Sequence, residues 1–213
     1  SGYGMFARVY EADGTAVNAV QIPINTTTDG DQNNGSVGSL ADGGFVVTWS
    51  ADDGDSTGIF AQRFDADGNT VGGEFAVNSW TAGNQADSKV SGLSDGGFVV
   101  AWSSHGADNV NNYQISGQRY DSLGNAVGIE FLINSGVPAD LGGKISAGGV
   151  GLQFPSLALR DDGALVATWT NFTAQKIEQK IIDDFVSDVR PIPLFLDDVV
   201  SNINGGKGGL AVS

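Results

Sequence analysis

The chain has 213 residues, 40% of them hydrophobic, enough to bury a core and to exclude a disordered or collagen-like polymer. Its 10 Lys and Arg face 25 Asp and Glu, and the formal charge of −15 repels nucleic acid and anionic membrane surfaces. There is no cysteine, so disulfide frameworks and thiolate metal sites are excluded, and no run of about 18 apolar residues offers a membrane insertion.

Glycine, at 32 residues without a fixed period, predicts many tight turns between short strands, with helix a minor component. In chain order the first element is Met5-Phe6-Ala7-Arg8-Val9-Tyr10, which ends in the turn Glu11-Ala12-Asp13-Gly14. The same ten-residue pattern returns at Ile59 to Gly68 and at Ile115 to Gly124. Downstream of each copy comes an apolar stretch ending in Asn25, Asn78 or Asn134, then Gln32, Gln85 or Gln153. A Trp strand follows each time: Asp42-Gly43-Gly44-Phe45-Val46-Val47-Thr48-Trp49, its counterpart Asp95 to Trp102, and Asp162 to Trp169.

A period of this length, divided by turn signals about every 10 residues, predicts four strands per copy. Phe45, Val47 and Trp49 alternate with Val46 and Thr48, so both faces of the Trp strand are largely apolar and each sheet is expected to lie between neighbours. The predicted fold class is therefore all-β: about three four-stranded antiparallel repeats of ~53 residues, stacked as β-propeller-like blades, with a non-repeat C-terminal tail. The repeats are placed at 4–57, 58–113 and 114–172 within an array over 1–172, and 173–213 holds a partial fourth repeat and the tail. Ala7, Ala61 and Gly117 share one register position, where a small side chain would admit a neighbouring sheet. Lys176 to Ile181 reads as a strand, with a short amphipathic helix as the competing pattern.

The third copy carries an insertion between Asn134 and Gln153, and insertions in repeat arrays collect on binding faces. Catalytic motifs are sparse. The single histidine, His105, stands in a polar loop, and Gly54-Asp55-Ser56-Thr57-Gly58 matches a nucleophile-elbow pattern without the strand-to-helix turn that motif needs. Acidic turns offer a hard cation paired carboxylates at short spacing: Asp29 and Asp31, Asp52, Asp53 and Asp55, and Asp65 and Asp67. Calcium is the cofactor they point to. Trp49, Trp102 and Trp169 fall in phase with the core, whereas Trp80 occurs in one copy only, just past a strand, and is with His105 the candidate for ligand contact.

Gly58-Ile59-Phe60-Ala61-Gln62-Arg63-Phe64-Asp65, with Glu74-Phe75-Ala76-Val77-Asn78, Gln85, and Leu93 to Trp102, resembles the roughly 50-residue repeats of large secreted bacterial proteins of the RTX or haemolysin-type calcium-binding class, adhesin-like surface proteins among them. The resemblance covers residues 4 to about 172, lacks the calcium nonapeptides of that class, and implies export to the cell exterior or surface.

These features lead to the expectation of a non-catalytic extracellular module, not an enzyme, that presents its loops to glycan, calcium or a protein surface. One alternative is a structural subunit that pairs with other copies of itself. A second is a polysaccharide-active enzyme domain, which needs two carboxyl groups about 5 to 9.5 Å apart and would bring Asp108 and Asp140 under suspicion.

Overall fold

The computed structural model describes residues 2–105, 113–134, 152–171 and 176–182, and these form thirteen strands with no helix among them. Two short strands come first, β1 (Phe6–Ala7) and β2 (Ile22–Pro23), paired with each other. The next four, β3 (Asn33–Ser39), β4 (Phe45–Asp52), β5 (Thr57–Phe64) and β6 (Thr70–Ala76), make an antiparallel meander. So do β7 (Asn84–Gly92), β8 (Phe98–His105), β9 (Tyr113–Tyr120) and β10 (Ala126–Leu132). A third sheet holds β11 (Leu152–Leu159), β12 (Leu165–Asn171) and β13 (Lys176–Ile182). Only one parallel bridge, Thr57 to Asn84, joins the first meander to the second. Residues 176–182 take the strand form rather than the helical one.

Sheets and sequence repeats are out of phase. Residues 4–57 contain β1 to β4, so that copy supplies the N-terminal pair and the first two strands of the next sheet. The sheets themselves begin with the strand that follows each recurring Asn. β7, the first strand of its meander, packs against β3 and β11, the first strands of the sheets on either side, and these three line the inner edge of the array. A side chain at Gly92 on β7 would collide with the carbonyl of Ser39 on β3, which is why glycine is needed where the two strands meet.

The turns at one end are built alike. Leu40, Leu93 and Arg160 each donate their N–H to the carbonyl four residues on, at 2.8 Å, and Asp42, Asp95 and Asp162 accept from the N–H two residues on at 2.9 to 3.2 Å. The Asp65 and Asp121 turns at the same end hold their carboxylates in a similar way. Asp65 accepts from Asp67 N–H at 3.0 Å, from Asn69 N–H at 2.8 Å and from the Asn69 amide at 3.0 Å, and the amide bond holds its carboxyl below the usual range.

The core lies between sheets, as the two apolar faces of the Trp strand demand. Val47 and Trp49 face back onto Met5, Ala7 and Ile24, while Val46 faces forward with Ile59, Ala61 and Val77 onto Phe98, Val100 and Trp102. Ala101 and Ile115 meet Ala167 and Trp169 at the next interface. Trp49, Trp102 and Trp169, the tryptophans of the three Trp strands, are buried. At Gly117, an added carbon would sit 2.9 Å from the Phe131 ring, so the space left by the small residue is taken by an aromatic on the adjacent strand of the same sheet, not by the neighbouring sheet.

Candidate functional site

A repeated pair of amides closes the other end of each interface. Asn78 accepts from the N–H of Ile59 at 2.6 Å and donates to Gln85 at 3.3 Å and to the Trp80 carbonyl at 2.8 Å, while Gln85 donates to the Ala82 carbonyl at 3.0 Å. Asn25 and Gln32 repeat the arrangement with Met5 N–H at 2.7 Å. Asn134 accepts from Ile115 N–H at 3.0 Å. Gln153 does not stand in the position of Gln85. Pairing with β12 puts Leu152 opposite Asn171, as Gln85 is opposite Ser104, so the third copy has its Gln one place along. Glu74 and Glu130 add a second tie, each accepting from the loop of the preceding sheet, at Thr26 and Ser79.

Just inside this end, all three inner strands carry a bulge, and at each the residue that bears it has a positive φ: Asn34 at 55°, Asp87 at 56° and Phe154 at 56°. Backbone of this kind is uncommon outside glycine and collects at functional sites. Asn34 and Asp87 each follow a recurring Gln by two places and are residue types that tolerate it, a signal present in the sequence; Phe154 gives none. Burial raises the pKa of Asp87 above the ordinary 3.8, against the pull of Lys89.

The loops at this end are those that vary between copies. Trp80, 39% exposed, lies between β6 and β7, and His105 ends β8 opposite Asn84, so both candidates share one end of the second meander with Asp87. The seven acidic candidates divide. Asp29, Asp31, Asp52, Asp53 and Asp55 stand at this end, while Asp65 and Asp67 sit in a turn at the opposite end. Five of the seven already accept backbone hydrogen bonds: Asp31 from Tyr3, Asp52 from Gly54, Asp53 from Asp55 and Ser56, Asp55 from Gly83, and Asp65 within its turn. Among the described residues no three His, Cys, Asp or Glu side chains are gathered together as they would be around a metal ion. Ser56 lies in a strand-to-strand loop, without the helix a nucleophile elbow requires. Asp108 and Asp140 lie outside the described residues.

No known family model matches the chain, and no curated protein does. Solved structures do. The endo-arabinase of Bacteroides thetaiotaomicron is similar over 87% of this chain and 67% of its own, at 18% identity and a TM-score of 0.50. A thermostable family-43 glycoside hydrolase matches over 89% of this chain and 72% of its own, at 15% identity and a TM-score of 0.43. The first likeness establishes the β-propeller-like class of the fold. It also corrects two expectations, that the chain is a non-catalytic binding or scaffold module and that it is not an enzyme, because the fold is one found in an endo-arabinase. The expectation rested on the lack of contiguous catalytic motifs, and side chains that a fold brings together from separate strands leave none.

Proposed function

We propose that the chain is a polysaccharide-active enzyme domain that hydrolyses glycosidic bonds in a neutral polymer. The observation that carries this reading is the fold held in common with an endo-arabinase over most of the chain; function by fold alone is an analogy, and the candidate residues make it testable. Hydrolysis of a glycoside calls for one carboxyl that keeps its proton and one that does not. Asp87 is assigned the first role, because burial raises its pKa and it sits at the bulge of the inner strand β7. Asp31, two residues before the inner strand β3 and at the same end, is assigned as the partner carboxyl. Trp80 offers a ring face for a sugar. A charge of −15 favours neutral glycans over polyuronates. An extracellular location is part of the proposal, as the resemblance to secreted repeat proteins implies. Three repeated sheets preceded by the β1–β2 pair are assigned as successive blades.

The test is release of reducing ends from linear arabinan and a panel of neutral polysaccharides. Asp87→Asn is expected to lower kcat about a hundredfold or more with little change in KM, and Asp31→Asn to do the same. Since Asp87 works in its protonated form, the wild-type rate should fall as pH rises through its raised pKa. No product from any substrate, or full activity in Asp87→Asn, would remove the assignment.

A further inference from the structure

Where the first meander meets the second, and the second meets the third sheet, the same pair of polar atoms is left over. Ser50 and Ser103 directly follow the tryptophans of the first two Trp strands. Val47 and Trp49 face back, so Ser50 faces forward with Val46 and Thr48, and the hydrogen bond that Ser88 on β7 donates to Thr48 at 2.9 Å fixes that direction. By the same alternation Ser103 shares the forward face of β8 with Ala101, which meets Ala167 and Trp169. The tryptophans of the following sheets, Trp102 and Trp169, face back towards them.

Register brings each serine beside one of these indoles. Ser50 lies opposite Ile59 on β5, and Trp102 packs in the cluster that contains Ile59. Ser103 lies opposite Ile115 on β9, and Trp169 packs in the cluster that contains Ile115. Burial is close to complete: Ser50 is 1% exposed, Ser103 2%, Trp102 0% and Trp169 3%. Yet among the described residues neither serine Oγ and neither indole Nε1 has a hydrogen-bond partner, and Ser104, on the same face of β8 as Trp102, adds a third such hydroxyl to the first interface. Orphaned polar groups are rare in a native core, and a pair that recurs in register at two interfaces calls for a common partner. The amide clasp lies beside each pair, since Asn78 and Asn134 accept from the N–H groups of the same Ile59 and Ile115.

We propose that each of these two interfaces holds a buried structural water, which accepts from the indole N–H of Trp102 or Trp169 and donates to the hydroxyl of Ser50 or Ser103. An indole can only donate and a serine hydroxyl can take either part, so a molecule with two donors and two acceptor sites joins them. In the first interface Ser104 supplies a third partner, about the usual number for a buried water. Other hydroxyls on these faces do not recur in this way. Thr48 is satisfied by Ser88, and its counterpart Ala101 makes apolar contact with the next sheet. The serine after the tryptophan is present both times, which makes the water a feature of the repeat rather than of one interface.

The experiment uses the whole chain, in a high-resolution crystal structure and in solution NMR. Density for a water is expected within about 3.2 Å of both Ser50 Oγ and Trp102 Nε1, and again of both Ser103 Oγ and Trp169 Nε1. In solution the indole N–H protons of Trp102 and Trp169 should show cross-relaxation with a long-lived water. Ser50→Val, which removes a hydroxyl and fills its place, is expected to abolish the signal at Trp102 and to leave the one at Trp169. Ser103→Val should do the reverse, so each variant carries its own check that the array has folded. The proposal is overturned by a direct serine-to-indole hydrogen bond in the density, by the absence of a water at either indole of the wild-type chain, or by a signal at Trp102 that survives Ser50→Val. Should a variant fail to fold, the wild-type density and cross-relaxation decide between these outcomes.

Discussion

The boundary between the first and second meanders and the outer edge of the N-terminal pair are built from the same residues in the same register, yet one is sealed and the other open. At the sealed boundary Phe98, Val100 and Trp102 fill the space against Val46, Ile59 and Val77, and Tyr120 stacks on Phe98 while its hydroxyl donates to the Val77 carbonyl at 3.3 Å. Burial there pushes the Tyr120 hydroxyl pKa well above its usual value. On the open edge Tyr10, the same position, looks into solvent. The difference teaches that in this array an aromatic is a core residue by virtue of the strand and the sheet next to it, as expected of a fold whose stability is a sum of nearest-neighbour terms.

Three substitutions sharpen that contrast. Phe64→Ala, which removes a buried ring stacked on Phe45, should cost about 3 to 5 kcal/mol by denaturant titration, near the limit of what a domain of this size tolerates. Asn78→Ala should come next, at about 1 to 3 kcal/mol, because it orphans the N–H of Ile59 at the closed end of the same boundary. Tyr10→Ala, the register partner of the first change, should alter stability by less than about 0.5 kcal/mol in the chain by itself. A Tyr10→Ala cost comparable to that of Phe64→Ala would mean that the edge is covered, and the contrast would collapse.

Much of this architecture was legible in the residues. The alternation of Phe45, Val47 and Trp49 with Val46 and Thr48 foretold a strand clad on both sides, and the Asp-Gly turns foretold the hairpins, because both signals are local. What escaped was set by partners distant in sequence. A periodic pattern has no natural starting point, so nothing in it says that β4 pairs with β5 across the seam between copies. Gln153 aligns with Gln85 by type, yet the bulge and the pairing with β12 put Leu152 in its place. The recurrence of Asn78 and Gln85 was visible; that the pair clasps neighbouring sheets was not, since the N–H they satisfy belongs to Ile59, on a strand of the same copy but in a different hydrogen-bonding frame. The candidate site was the least legible part. Asp87 is one of many aspartates in the sequence, and only burial on an inner strand sets it apart. Trp80 was identified by its presence in a single copy, and the structure leaves it partly exposed at the same end.

The mismatch in phase between repeat and sheet has a consequence for how the array can be cut. A fragment ending where one sequence copy meets the next, at 57 and 58, severs β4 from β5, a strand pair hydrogen-bonded along its whole length from Phe45–Phe64 to Asp52–Thr57. A fragment ending between β6 and β7 separates whole sheets and breaks mainly side-chain packing, the amide clasp and one parallel bridge. The stretches that recur as sequence copies from residue 4 and the stretches that would separate as whole sheets are therefore offset by two strands.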